Sequence, residues 1–307
     1  MPRVKNDHAP EHPPALKRPD ERLGAHVSIR GGVTLAPARG IAIGASAIQV
    51  FTKNPNQWRD PEIDRSTGRN FVEAYNRSGL NGLVGHDSYL INLASPDPAL
   101  RDRSIDSFVA ELERCQQLGI AGVVSHPGNY IDDREAGLVR NAEGCTTALE
   151  RARSDVMVLF ETTAGSDTAL GRSFDELAEL RLLVPEAHRH RIGFCADTCH
   201  LYSAGYDLVG DYDGVWQAFD DIIGLEHLHC LHLNDSKTPF ASRRDRHELI
   251  GKGSLGPDPF RRVMRDPRFV NVIKILETPK GDDEVTLDRR TLARLRGYTR
   301  PGARRHR

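Results

Sequence analysis

The sequence predicts a single α/β domain with the (β/α)₈ barrel fold, and three observations support this prediction. Eight short apolar runs alternate with amphipathic stretches along the chain. The runs are almost continuously apolar, which is typical of parallel strands covered by helices. Eight such units also suit the length of a TIM barrel, which is about 250 residues. A doubly wound open sheet is the alternative architecture.

The eight predicted strands follow one another at regular intervals. They are 23–28, 46–52, 82–88, 122–128, 156–163, 191–198, 228–235 and 272–279. Helical periodicity is clearest in four of the intervening stretches, namely 98–118, 134–153, 173–184 and 286–296. In the first of these stretches, Ile105, Phe108, Val109 and Leu112 recur at the spacing of one helix face.

The two ends of the chain lack this repeating pattern. Residues 1–20 contain five prolines and almost no periodicity, so we expect a disordered N-terminal extension. Residues 299–307 form a basic tail, which we interpret as a solubilising end, with a phosphate contact as the alternative. Between them we expect one catalytic domain, residues 21–298.

Composition excludes several classes of protein. The 307 residues include 42 Lys+Arg and 43 Asp+Glu, so any nucleic acid must be bound by a local basic patch. No apolar run approaches the roughly 18 residues that span a bilayer, and the N-terminus lacks the apolar region of a secretory signal. Five cysteines, an odd and small number, suit a reducing compartment. We therefore expect a cytoplasmic protein without a membrane partner.

Six of the eight predicted strands have, close to their carboxyl ends, a residue type that binds metals. These residues are His86, His126, Glu161, Asp197, His232 and Glu277. The residue two positions earlier is apolar or small in every case, and side chains two apart share a strand face. We therefore expect all six side chains to converge at the carboxyl ends of the strands, where barrel enzymes have their active sites. Cations would be needed to compensate so many buried ionisable groups.

Three further candidates lie in loops, and they raise the number of potential ligands to nine. They are His200, Asp245 and His247. Nine nitrogen and oxygen ligands suit three ions better than one, and they favour Zn²⁺, with Mn²⁺ or Fe²⁺ as alternatives at some positions. Each histidine alone could be an ordinary hydrogen-bonded residue, but their shared register favours a metal site. We assign His26 a hydrogen-bonding role and reject Cys195 as a ligand, because it lies one layer too deep.

Basic residues surround the ligands of the loop after the seventh strand. They are Lys237, Arg243, Arg244 and Arg246, and Lys53 near the end of the second strand extends the set. Cations beside metal ligands predict a polyanionic substrate between them, although an ordinary solvated loop is the alternative. Paired metal ions can activate water and stabilise the leaving oxygen of a phosphodiester. There is no P-loop, GxGxxG or zinc-finger spacing, so the sequence does not support nucleotide hydrolysis, dinucleotide redox chemistry or finger-type DNA reading.

Sequence blocks over about residues 23–280 resemble the endonuclease IV family of abasic-site endonucleases. The blocks are GAHVSIRGGV (24–33), FTKNPNQW (51–58), HDSYLINLASP (86–96), HPGNY (126–130), ETTAGSDTALG (161–171), DTCHLYSAGYD (197–207), LHLNDSK (231–237), SRRDRHELIGKGSLG (242–256) and ILETP (275–279). The DTCH, HLND and DRH segments are specific in combination.

This resemblance implies three zinc sites. The first would contain His86, His126 and Glu161, the second Glu161, Asp197, His232 and Glu277, and the third His200, Asp245 and His247. Glu161 would bridge two ions and orient the attacking hydroxide or take its proton, while the third ion would stabilise the leaving 3′ oxygen. The abasic nucleotide would be flipped out of a bent duplex, with Tyr89 wedged into the gap.

Three positions differ from the family pattern. Asn56 stands where some relatives have an arginine that helps to hold the DNA kink, Thr162 replaces the usual asparagine, and Tyr130 occupies a position that is often histidine. No ligand is lost by these differences.

We therefore expect a zinc-dependent DNA repair endonuclease that cleaves 5′ to an abasic site and leaves a 3′-OH and a 5′-deoxyribose phosphate. Removal of 3′-blocking groups is expected in the same site. The partner would be duplex DNA, and the enzyme would be a monomer associated with the nucleoid. A metal-dependent sugar isomerase or epimerase and a non-catalytic DNA-damage binder are the alternatives.

Overall fold

Eight parallel strands close into a barrel in the computed structural model, which describes residues 21–281 and 283–299. The barrel strands are β1 (Leu23–His26), β2 (Ala47–Phe51), β3 (Gly82–His86), β4 (Gly122–Ser125), β5 (Met157–Glu161), β6 (Ile192–Asp197), β7 (Leu228–His232) and β10 (Ile273–Leu276). Each predicted apolar run contains one of them, and β1 pairs with β10 to close the ring. The predicted (β/α)₈ fold is confirmed.

Ten α-helices accompany the strands in the described part of the chain. They are α1 (Ala36–Ala42), α2 (Arg65–Ser78), α3 (Pro98–Gln117), α4 (Arg134–Arg151), α5 (Phe174–Leu183), α6 (Glu186–Arg189), α7 (Thr198–Ala204), α8 (Tyr212–Ile222), α9 (Asp258–Val263) and α10 (Glu284–Tyr298), with short 3₁₀ turns at Val33–Leu35, Leu225–His227 and Pro267–Phe269. The four predicted helices correspond to α3, α4, α5 and α10. Several helices begin where an Asp side chain accepts a hydrogen bond from a free backbone N–H, as Asp64 and Asp97 do.

Two apolar layers hold the barrel together. Inside it, one residue of each of seven strands forms a packed cluster of Ala47, Val84, Val124, Leu159, Cys195, Cys230 and Ile275. Outside it, residues of opposite parity such as Phe160, Phe194 and Leu276 pack in the layer between strands and helices. Six members of this interior cluster stand two positions before the six strand-end candidates. The candidate side chains therefore lie on the same strand faces, as predicted, and point toward the mouth of the barrel.

A small antiparallel pair, β8 (Asp235–Ser236) and β9 (His247–Glu248), organises the long loop after β7. Its strands have only two residues each, which is too short for a periodic sequence signal. The buried carboxylate of Asp235 accepts hydrogen bonds from the backbone N–H groups of Ser236, Gly251, Gly253 and Leu255, at 2.8 to 2.9 Å. One side chain thus fastens both ends of the loop.

No helix in residues 21–281 and 283–299 combines the length and apolar character needed to cross a membrane. The predicted extension, residues 1–20, and residues 300–307 of the predicted tail lie outside the described residues.

Gly24 provides a test of the closed barrel. A Cβ atom at this position would lie 1.6 Å from the carbonyl oxygen of Ala47, which faces Gly24 in the β1–β2 pair. Because backbone must move to relieve the clash, we expect Gly24→Ala to reduce the free energy of unfolding by several kcal/mol, on the order of 3. Thermal unfolding monitored by circular dichroism measures this loss.

Gly297→Ala is the matched control, because a Cβ at this position in α10 meets nothing within 4 Å. Because alanine has a greater helix propensity than glycine, the free energy of unfolding of Gly297→Ala should equal that of the wild type or exceed it by up to about 1 kcal/mol. Equal unfolding temperatures for the two variants would contradict the close approach of β1 to β2.

Candidate metal centre at the mouth of the barrel

All nine predicted ligands meet at the carboxyl ends of the strands. His86, Glu161, Asp197 and His232 are the last residues of β3, β5, β6 and β7, and His126 and Glu277 directly follow β4 and β10. Their ligand atoms fall into three groups, in each of which all atoms lie within 4.8 Å of one another. These groups are His86, His126 and Glu161; Glu161, Asp197, His232 and Glu277; and His200, Asp245 and His247.

Glu161 is the side chain that connects the groups. It is completely buried, and its Oε2 lies 3.4 Å from His86 Nε2 and 3.0 Å from His126 Nε2. Its Oε1 lies 2.9 Å from His232 Nδ1 and 3.3 Å from His200 Nδ1. Each carboxylate oxygen therefore faces a different set of imidazoles, as a bridging ligand requires.

The Asp197 carboxylate forms hydrogen bonds both with the backbone of the next residues in the chain and with Asn234, which is distant in sequence. Its Oδ1 accepts hydrogen bonds from the backbone N–H groups of Cys199 and His200, so it begins α7 and fixes His200 in the first turn. Its Oδ2 accepts a hydrogen bond of 2.6 Å from Asn234 Nδ2. Asn234 Oδ1 in turn accepts from the backbone N–H of Glu277, which ties two ligands to one amide.

The third group combines a helix residue with two loop residues. His200 Nε2 and His247 Nε2 each lie 3.1 Å from an oxygen of Asp245. The Asp245 side chain is 46% exposed, whereas Glu161 and Asp197 have no exposure. Asp245 is therefore the most exposed member of this group, and it lies on the loop that Asp235 fastens.

Opposite charges compensate one another in the protein without metal. Burial raises the pKa of Glu161, but the nearby His232 and His126 imidazoles outweigh it and hold the pKa well below its usual range. Burial opposes charge on His86, yet the nearby carboxylates of Glu161 and Glu277 raise its pKa to about 9. Because a cation binds the neutral imidazole, cation binding would release the proton that the raised pKa favours on His86.

The residues fit divalent cations. Glu161 Oε2, His200 Nε2 and His247 Nε2 are buried atoms whose nearest polar neighbours, at 3.0 to 3.4 Å, are other predicted ligands. Among the described residues, none of these contacts has the geometry of a hydrogen bond. The three ligand groups offer nitrogen and oxygen atoms and no thiolate, which suits Zn²⁺ and also admits Mn²⁺ or Fe²⁺. The thiols of Cys195 and Cys230 come close to His232, but they belong to the apolar layer beneath it.

Residues that orient the ligands were missed by the sequence analysis. Ser125 donates to Asp87, whose backbone oxygen bonds to His86 Nδ1 at 2.9 Å. Gln49 contacts His232 and Glu277, and His26 has the expected hydrogen-bonding role beside it. Gln49 has the same strand parity as Ala47 in the interior layer, and this signal could have identified it.

Six of the seven predicted DNA contacts lie exposed on loops after the barrel strands. They are Asn56, Tyr89, Lys237, Arg243, Arg244 and Arg246. Tyr89 is 62% exposed, and its ring centre lies 6.1 Å from that of His86.

Lys53 is placed differently, because its side chain points inward. Its Nζ lies 2.8 Å from Asp60 Oδ1 and 2.9 Å from Ser107 Oγ of α3, and only 3% of the residue is exposed. Arg114 of α3 contacts the same Asp60 oxygen at 3.1 Å and donates to Thr52 Oγ1 at 2.7 Å. Lys53 therefore belongs to a buried network that fastens the loop after β2 to α3.

The chain is similar to known proteins over most of its length. Residues 38–298 match the family described as "Xylose isomerase-like TIM barrel". The protein named "Probable endonuclease 4" from Chloroflexus aggregans is 46% identical over 283 residues, which cover 91% of this chain and 98% of that protein. The crystal structure of endonuclease IV from Thermus thermophilus has a TM-score of 0.80 at 36% identity and covers 91% of this chain and 98% of its own.

D-psicose 3-epimerase from Clostridium cellulolyticum also matches, with a TM-score of 0.64, 15% identity and coverage of 91% of this chain and 98% of that chain. Identity this low shows a shared fold alone. The Chloroflexus and Thermus proteins match at much higher identity, and each aligns over nearly its whole length. This chain therefore belongs to the endonuclease IV family.

Proposed function

We propose that the protein is a zinc-dependent DNA repair endonuclease that hydrolyses the phosphodiester 5′ to an abasic site. The products would be a 3′-OH and a 5′-deoxyribose phosphate. The observation that carries this proposal is the position of Glu161, a buried carboxylate whose two oxygens face separate groups of ligands. Such a carboxylate can serve two cations and a reacting water at once.

Three cations would be held by the three ligand groups described above. When bound, they would supply a water of lowered pKa and offset the charge of the reacting phosphate. Glu161 would orient the attacking water and accept its proton. The group of His200, Asp245 and His247 would face the leaving 3′ oxygen, as the resemblance to the endonuclease IV family implies. Its exposed Asp245 lies among the arginines of the same loop.

The exposed loops support a DNA substrate. Arg243, Arg244 and Arg246 flank the ligand Asp245, and Lys237 follows β8 on the same loop. Their charges would bind phosphates close to the cleavage point. Tyr89 would fill the gap left by the flipped abasic nucleotide, with Asn56 on the neighbouring loop, while Lys53 would act by anchoring that loop.

The same site would release 3′-blocking groups from damaged ends, because that reaction also breaks a phosphodiester beside a 3′ oxygen. We further propose that the enzyme acts as a monomer in the cytoplasm, on the DNA of the nucleoid. A sugar epimerase on the same fold would give no purpose to the third ligand group or to the arginines around it.

The decisive measurement is incision of a duplex that carries one stable abasic analogue. The zinc-loaded protein should nick the strand immediately 5′ to the analogue and leave an end that a polymerase can extend, and a strong chelator should abolish the reaction. An undamaged duplex of the same sequence is the control. Turnover of a ketose without incision would favour the epimerase, and tight binding without incision would favour a damage binder.

Glu161→Gln tests the role of the bridging carboxylate. An amide cannot accept the proton of the attacking water, so we expect the incision rate to fall by about 10²- to 10⁴-fold while circular dichroism shows a folded protein. Glu248→Gln is the control, since Glu248 lies beside His247 but in none of the three ligand groups. Near-normal incision by Glu161→Gln would refute its assigned role.

The number of ions is tested by elemental analysis. The wild-type protein should contain three zinc ions per chain after gel filtration. Asp245→Ala should retain two, because the other two groups do not include Asp245. A wild-type content of one ion per chain would contradict the three-ion centre.

A further inference from the structure

Two barrel strands supply no residue to the three ligand groups among the described residues. They are the neighbours β1 and β2, and they are paired in register so that His26 lies beside Gln49. Gln49 is a polar residue in the middle of an otherwise apolar strand, and it is completely buried. A buried amide requires polar partners, and among the described residues the partners of the Gln49 amide all lie at the mouth of the barrel.

The Gln49 amide contacts two predicted ligands of one group. Its Oε1 lies 2.8 Å from His232 Nε2, and its Nε2 donates to Glu277 Oε1 at 2.6 Å. A second contact of the amide nitrogen, at 3.0 Å, is with His26 Nδ1. This orientation of the amide follows from Glu277, whose ionised carboxylate can only accept a hydrogen bond.

These contacts determine which nitrogen of His232 is free to bind a cation. Because the amide oxygen is only an acceptor, His232 must carry a proton on Nε2. Its Nδ1 then faces Glu161 Oε1 at 2.9 Å and Glu277 Oε2 at 3.1 Å, inside the ligand group. The hydrogen bond to one ring nitrogen thus fixes both the tautomer and the rotation of the ring.

We propose that Gln49 is a positioning residue that presents His232 Nδ1 and the Glu277 carboxylate to the same cation. A neutral partner suits this position, because Glu161, Asp197 and Glu277 already place three negative charges around His232. A carboxylate in place of Gln49 would add a fourth. This inference rests on the proposed metal centre.

The test compares Gln49→Met with Ile48→Met in zinc-loaded protein. Both positions are fully buried in β2, but Ile48 faces the outer apolar layer. In competition with a chromophoric chelator, Gln49→Met should bind one of its three ions about 10- to 100-fold more weakly, and Ile48→Met should match wild type. The ¹⁵N-histidine NMR spectrum should show a protected Nε2–H resonance of His232 in wild type that is lost in Gln49→Met.

Gln49→Glu keeps the inference testable if Gln49→Met does not fold. Its carboxylate still accepts from His232 Nε2–H, so the protected resonance should remain, but it cannot donate to Glu277 and should weaken the same ion. Wild-type zinc affinity in either folded variant would overturn the role of Gln49. Failure of the wild-type protein to bind zinc at all would instead overturn the metal centre.

Discussion

The charge of Glu161 is the constraint on which the rest of the structure depends. A carboxylate without solvent exposure is strongly destabilising unless positive groups and hydrogen-bond donors surround it. Only a closed barrel brings the ends of β3, β5 and β7 together around such a group, since His86 and His232 come from strands on opposite sides of β5. The apolar layer beneath them excludes water and keeps the compensation local, so the chemistry and the stability of the mouth have a common origin.

The fold and the convergence of the six strand-end side chains could be predicted because both follow from local periodicity. Alternation along each strand gives the height and the face of a side chain, which sufficed for His86, Asp197 and Glu277. It gives no information about which ligands share an ion, because that grouping depends on how the barrel closes, and only the resemblance to a family supplied it.

Lys53 and Gln49 show where sequence reasoning fails in opposite directions. A lysine at the end of a strand is ordinarily exposed, and Lys53 is buried only because Asp60 and Ser107, the latter 54 positions away, receive its ammonium group. Gln49 is a single polar residue within an apolar strand, so the pattern that predicts the strand gives no indication that its side chain has a specific role. Both roles arise from partners that are distant in sequence.

The candidate ligands at the mouth are held in two different ways, some by the barrel strands and others by the long loop to which Asp235 forms hydrogen bonds. Ligands on the strands keep their places for as long as the barrel itself survives. Asp245 and His247 keep theirs through the loop, which is held by the four backbone hydrogen bonds of Asp235 and by contacts with α7 such as that of Arg243 N–H with Ser203 O. Local melting of that loop would separate Asp245 and His247 from His200 and leave the strand-end side chains in place, so the arrangement at the mouth would be lost before the fold.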